Sequence, residues 1–309
     1  MKINDLITPE GTKDLLFNEC ITRQNIENKI HAIFKSGGYS ELITPCIEFY
    51  DVFTHNSSHF SQEKLFKLMD CKGRILVLRP DNTVPIARIV ATRLKDAVLP
   101  MRLYYNQCVF NMVPSLKGKS AQVVQTGIEL IGSSSKMADL EVISTAINVL
   151  SSCGNGDYSL EIGDIRFFQE LVRKLEVSDE EKETIRNYIK AKNYPALNDF
   201  LDNIGDNQVI QALKRLPGLF GGEEVFGKAS QLFSDEKIDT ILSDLKELYN
   251  KISKIAGKGK ITVDLGMVNK TDYYTGVIIR GYLEGYGEEV LSGGRYDKLI
   301  ADFGYDIPA

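Results

Sequence analysis

The feature that most constrains this 309-residue chain is where strand character stops and where it resumes. Runs of β-branched and aromatic residues fill the first half, vanish over residues 165–255, and return after Gly257-Lys258-Gly259-Lys260. In the gap, Phe168, Leu171, Val172 and Leu175 repeat at helical spacing, as do Ile238, Ile241, Leu242, Leu245, Leu248, Ile252 and Ile255. Strands on both sides of a helical block predict an α+β protein: a discontinuous domain, 1–164 with 256–309, and a mostly helical insertion, 165–255. A doubly wound parallel sheet would alternate strands and helices more regularly, and the glycine spacing fails the dinucleotide fingerprint. An antiparallel core sheet flanked by helices is expected.

Local patterns fill in the first half. Ile26, Ile30, Ile33 and Phe34 predict a helix over 20–36 that stops at Gly37-Gly38. Ile75–Leu78 reads as a short buried strand ended by Pro80, and Thr83–Leu94 as a helix. Arg102–Phe110 and Gln122–Ile131 form a long hairpin across the polar segment 112–120, followed by a helix over 137–150. After the insertion, Ile261–Leu265, Thr275–Leu283 and Glu289–Leu291 read as strands.

Composition excludes several classes. Hydrophobic residues at 43% and charged residues at 26% suit a packed core, and a net charge of −5 gives no general attraction for polyanions. The start lacks a signal-peptide profile and no apolar run reaches membrane-spanning length, so a cytoplasmic location and no membrane contact are expected. The five scattered cysteines make neither a CxxC pair nor a disulfide framework. His55 and His59 stand four apart but in loop-forming sequence with no third ligand, so neither a metal nor a cofactor is expected. Gly118-Lys119-Ser120 resembles a phosphate-loop tail, but Val113 stands where the motif needs glycine.

Two constellations could carry chemistry. Gln125 and Glu129, four apart on a strand, point to one face. Either that face binds a ligand or it is open to solvent; spacing does not decide. Asp272-Tyr273-Tyr274-Thr275-Gly276 and Ser292-Gly293-Gly294-Arg295-Tyr296-Asp297 combine amphipathic rings with glycines that permit close backbone approach. On these residues alone, core tyrosines and a turn are the simpler reading.

Taken together, Thr8-Pro9-Glu10-Gly11-Thr12-Lys13-Asp14, Leu78-Arg79-Pro80-Asp81-Asn82-Thr83, Gln125-Thr126-Gly127-Ile128-Glu129, Asp272-Tyr273-Tyr274-Thr275 and Gly293-Gly294-Arg295-Tyr296-Asp297 resemble the histidyl-tRNA synthetases, in the same order. The resemblance runs over nearly the whole chain outside the insertion. It implies a class II aminoacyl-tRNA synthetase-like fold, usually homodimeric, with a histidine pocket. Asp81, Thr83 and Gln125 would hold the α-amino group, while Glu129, Tyr274, Tyr273 and Tyr296 would surround the imidazole. Carboxylate and amide acceptors suit an ammonium, and a carboxylate can accept from an imidazole N–H. Glutamate is commoner at Asp81, so the reach there is shorter by about one methylene.

The departures from that pattern concern the cations that clamp the α-phosphate during amino-acid activation. Synthetases of this type carry an arginine after the first hairpin strand, another before the glutamine of the returning strand, and a third before the Asp-Tyr-Tyr run. Here those places hold Asn111, Ala121 and Asn269. Losing even one such group costs about a hundredfold or more. The third class II motif and an anticodon-binding domain are also expected to be absent from this chain, which ends at Ala309. A closer resemblance is to the regulatory subunits of short-form ATP phosphoribosyltransferase, carried by Leu78–Asp81 with Thr83 and Ile86-Ala87-Arg88, and by Leu216–Val225. It implies a non-catalytic subunit, a homodimer within a hetero-oligomer, partnered by the catalytic subunit of the first step of histidine biosynthesis, with histidine as feedback effector and no tRNA. The alternatives are a histidyl-tRNA synthetase fragment and a domain sensing uncharged tRNA, which the acidic balance disfavours.

Overall fold

The computed structural model describes residues 7–54, 60, 62–113, 119–154, 157–268 and 273–309. The chain divides into two units, residues 1–134 with 297–309, and residues 135–296.

The first unit opens with α1 (Asn18–Ser36), which ends at Gly37 and Gly38, the latter at φ +80°. β1 (Ser40–Glu41) follows. β2 (Ile47–Phe49), β3 (Lys67–Met69) and β4 (Ile75–Leu78) make an antiparallel sheet in the order β2-β4-β3. α2 (Thr83–Arg93) is buried along almost its whole length, from Val84 to Ala91, as a helix apolar on every side should be. β5 (Met101–Phe110) and β6 (Gln122–Ile131) pair antiparallel from Met101↔Ile131 to Phe110↔Gln122, the long hairpin expected. β1 adds to β5 in parallel, so this sheet is mixed. Residues 114–118, including Gly118 of the rejected phosphate-loop match, lie outside the described residues, as do His55 and His59.

A buried arginine ties these pieces together. Arg79 follows β4 and is only 5% exposed. Its Nε donates to Cys108 O at 2.7 Å; Nη1 donates to Thr44 O (2.8 Å), Thr44 Oγ1 (3.0 Å), Pro45 O (3.2 Å) and Gln107 Oε1 (2.6 Å). One cation thus joins the segment before β2, the end of β4 and the middle of β5.

The second unit begins with α3 (Lys136–Cys153), capped by Ser135 accepting from Ala138 N. β7 (Tyr158–Asp164) leads into α4 (Ile165–Arg173), α5 (Asp179–Lys190), α6 (Tyr194–Ile204) and α7 (Gln208–Arg215). α5 starts with a reciprocal capping box, Ser178 with Glu181. β8 (Phe220–Gly221), α8 (Glu224–Leu232), α9 (Glu236–Ala256), β9 (Ile261–Asp264), β10 (Val277–Leu283) and β11 (Leu291–Gly294) complete it. The sheet order is β11-β10-β7-β9-β8, antiparallel except for the parallel pair β7/β9. Leu160 and Ile162 of β7 share one core with Leu171, Ile185, Leu197, Leu213 and Ile252 of the helical block. The block is not free of strand: β8 pairs with β9 through Phe220↔Asp264 and Gly221↔Val263. Gly293-Gly294, read from sequence as a turn, lies within β11.

The opposite face of β7 is polar. Glu161 stands across from Arg280 of β10 and accepts from Tyr282 Oη at 3.1 Å. Burial pushes the Glu161 and Asp264 carboxyls above their ordinary values, and burial beside Glu161 pushes Tyr282 up to about 12.

Two outcomes follow. Arg79→Met should lower stability by about 3 kcal/mol or more, read by chemical denaturation, because it strands buried carbonyls that accepted from a charged donor. Carboxyls with raised folded values favour folding while protonated and cost stability once ionised. As pH climbs through and above the unfolded carboxylate range, the contribution of these two groups to native stability should therefore fall, and Glu161→Gln with Asp264→Asn should remove it, leaving thermal midpoints higher than the native chain's at pH 7 and unchanged at pH 3.

Candidate functional site

In the first unit the geometry starts from Pro80, which ends β4 and lets the chain turn into α2. Phe110 N donates to Arg79 O at 2.9 Å and Asn111 Nδ2 donates to Pro80 O at 3.1 Å, so the hairpin holds this turn by two bonds. The next three residues each use a side chain. Asp81 Oδ1 accepts from Val84 N at 2.8 Å, capping the helix. Asn82 Nδ2 donates to Gln125 Oε1 at 3.2 Å, and Thr83 Oγ1 donates to Glu129 Oε1 at 2.8 Å. The head of α2 is thereby pinned to one face of β6. Thr83 and Glu129 are thus in direct contact, Gln125 is reached through Asn82, and Asp81 precedes both on the same turn.

Sequence reasoning missed two members of this group. Asn82 is fully buried, and its Oδ1 has no hydrogen-bond partner. Tyr105 stands opposite Gly127, between Gln125 and Glu129 on the same face; a Cβ on Gly127 would lie 2.5 Å from the Tyr105 hydroxyl. The glycine in Gln-Thr-Gly-Ile-Glu was the available signal, since it makes room for the ring.

Two of the three positions without the expected arginine are described. Asn111 holds the Pro80 carbonyl. Ala121 is buried against the turn at Gly11: Ala121 N donates to Gly11 O at 2.6 Å, and a Cβ on Gly11 would lie 2.7 Å from Ala121 Cβ. An arginine at 121 would have to displace that turn. Asn269 and Asp272 lie outside the described residues. Arg79 is committed to neutral oxygens, its charge disfavoured by burial, and Arg88 Nη2 is paired with Glu48 at 2.6 Å.

In the second unit Tyr273, Tyr274 and Tyr296 form an aromatic cluster. Tyr273 meets Tyr274 edge-on at 4.9 Å between centroids and Tyr296 at 5.8 Å. The Tyr274 ring lies on Gly294, where a Cβ would come within 2.9 Å of it. Arg295 is paired with Asp139 at 2.9 Å, which anchors the Gly-Gly-Arg-Tyr segment to α3. Among the described residues no group of three or more His, Cys, Asp or Glu could hold a metal, and no helix is long and apolar enough to cross a membrane.

The histidyl-tRNA synthetase family model matches residues 11–309. The ATP phosphoribosyltransferase regulatory subunit of Clostridium acetobutylicum is 46% identical over 306 residues, covering 97% of this chain and 75% of its own length. A solved structure from Bacillus halodurans, described as an ATP phosphoribosyltransferase regulatory subunit/histidyl-tRNA synthetase, matches with a TM-score of 0.89 at 32% identity, covering 98% of this chain and 79% of the other. The chain belongs to the ATP phosphoribosyltransferase regulatory subunit family, on the histidyl-tRNA synthetase fold. The histidyl-tRNA synthetase of Nostoc sp. PCC 7120 shares that fold, with a TM-score of 0.81 at 23% identity over 99% of this chain and 72% of its own.

The contacts at Asn111 and Ala121 are packing contacts at two positions where the synthetase pattern has arginine. On the face of β6 that carries Gln125 and Glu129, Gly127 leaves room for the Tyr105 ring. Gly127→Ala should therefore displace Tyr105 and cost about 1–3 kcal/mol in thermal or chemical unfolding, whereas Gly227→Ala, in α8 with open space around it, should cost less and leave the aromatic environment unchanged in near-ultraviolet circular dichroism.

Proposed function

We propose that this chain is the non-catalytic regulatory subunit of a short-form ATP phosphoribosyltransferase, acting in the cytoplasm, supporting the catalytic subunit's activity and carrying feedback inhibition by histidine. The observation that carries the reading is 46% identity, over nearly the whole chain, to a protein of that name. The site chemistry supports it. Asp81, Thr83 and Glu129 offer oxygen acceptors to an ammonium and an imidazole N–H, Gln125 adds an amide beside them, and Asn111 and Ala121 are neutral and engaged in packing. Tyr273, Tyr274 and Tyr296 enter the proposal through the resemblance. The inhibitory effect would be a free energy shared between the histidine site and the surface that meets the catalytic subunit.

A homodimer within the hetero-oligomer is part of the proposal. One face of the β2-β4-β3 sheet carries Ile47, Phe49 and Leu68, exposed by 48%, 44% and 42%, around Leu76, which pairs with both Phe49 and Leu68. Contiguous exposed apolar residues of this kind favour a protein partner. The alternative, a catalytic fragment of a histidyl-tRNA synthetase, rests on the shared fold, and the substitutions at 111, 121 and 269 weigh against it.

Reconstitution tests the main reading: mixed with the catalytic subunit, the chain should raise phosphoribosyl-ATP formation, and added histidine should suppress it. Unchanged activity and unchanged histidine response would overturn it. Asp81→Ala and Glu129→Ala should weaken histidine binding by about tenfold or more by calorimetry, since each removes a charged acceptor. Ile47→Glu with Phe49→Glu should shift the particle to monomer mass in light scattering.

A further inference from the structure

We propose that Asn82 is a positioning residue that turns the Gln125 amide so that its N–H groups face the ligand, and that these donors receive the α-carboxylate of a bound amino acid. This deepens the histidine-site reading and rests on it. Asn82 is fully buried at the head of α2 and gives Nδ2 to Gln125 Oε1 at 3.2 Å. With its oxygen engaged, Gln125 has only its Nε2 to offer outward, and Gln125 is exposed on β6. Resemblance assigns this residue to the α-amino group as an acceptor; the pairing with Asn82 gives it the opposite polarity.

The orientation follows from what each alternative would bury. As it stands, the Asn82–Gln125 pair leaves one buried carbonyl oxygen, Asn82 Oδ1, without a partner. Reversing both amides would satisfy that oxygen but place the Asn82 NH2, with two donors, in the same buried position. Buried donors without partners are rarer than under-used carbonyls, so the observed sense is the favoured one. The residue opposite Gln125 on the hairpin adds a second unspent donor. Gln107 has its Oε1 fixed by Thr44 N at 3.0 Å and Arg79 Nη1 at 2.6 Å, which leaves Nε2 buried and unpartnered. Amide donors therefore outnumber amide acceptors at this register position, and donors suit a carboxylate. The positive end of α2 adds to the same preference.

The test is calorimetric titration of the full chain with histidine and with histidinol, which keeps the ammonium and imidazole but has no carboxylate. The native chain should bind histidine about tenfold or more tightly than histidinol, the scale of a hydrogen bond to a charged group. Gln125→Glu still accepts from Asn82 but turns an oxygen outward; it should lose about tenfold or more for histidine and nothing for histidinol. Asn82→Leu removes the orphan oxygen and frees Gln125 to rotate; the histidine-to-histidinol ratio should shrink severalfold while the thermal midpoint holds or rises, a combination that damage to the fold would not give. Gln125→Glu binding histidine as tightly as the native chain, or Asn82→Leu keeping the full ratio, would overturn the assignment while leaving the histidine site intact. A native chain that binds neither compound would overturn the histidine-site reading itself and this inference with it.

Discussion

The first unit depends on a charge placed where charges rarely go. Arg79 is almost completely buried, and its five acceptors are all neutral oxygens on Thr44, Pro45, Gln107 and Cys108. Removing a guanidinium from water is tolerable only when its donors are well used, so the surrounding backbone must hold its place. The Thr44-Pro45 segment, the end of β4 and the middle of β5 are fixed relative to one another by that requirement. Pro80 and the head of α2 then emerge opposite one register position of the hairpin, and the contacts from Asn82 to Gln125 and from Thr83 to Glu129 become possible. The site is a consequence of where the arginine sits.

The polar residues at the head of α2 and on β6 support one another. Asp81 caps the helix, Thr83 gives its hydroxyl proton to Glu129, and Asn82 holds Gln125. Two of the positions that depart from the synthetase pattern are structural: Asn111 binds the Pro80 carbonyl, and Ala121 fits beneath the Gly11 turn. On the proposed reading, the recognition half of such a site is kept while the half that would clamp a phosphate is given over to packing. The same logic separates binding from catalysis, since electrostatic groups that act only in the transition state contribute nothing to holding the amino acid.

Much of this was legible in sequence, for identifiable reasons. The hairpin, β4, α2 and α3 carry long or unmixed patterns and were read within a few residues of their ends. β2 and β3 were missed because three-residue strands are too short for alternation to register, and β8, with two residues, is held by its pairing with β9 rather than by propensity. The glycine pair in β11 suggested a turn because glycine is rare in strands; here the Tyr274 ring on Gly294 requires it. In the site, Gln125 and Glu129 were visible through their spacing. Asn82 and Tyr105 were not: a buried asparagine looks like any helix-start residue, and Tyr105 gains its place from a partner on the opposite strand.

The central claim, that an amino-acid site persists without the machinery to activate what it binds, is tested most directly by histidine-dependent exchange of pyrophosphate into ATP. The measurement belongs on one preparation whose histidine binding has been established by calorimetry. The account predicts saturable histidine binding with no exchange above background. Exchange that rises with histidine and saturates at the same concentrations would contradict it.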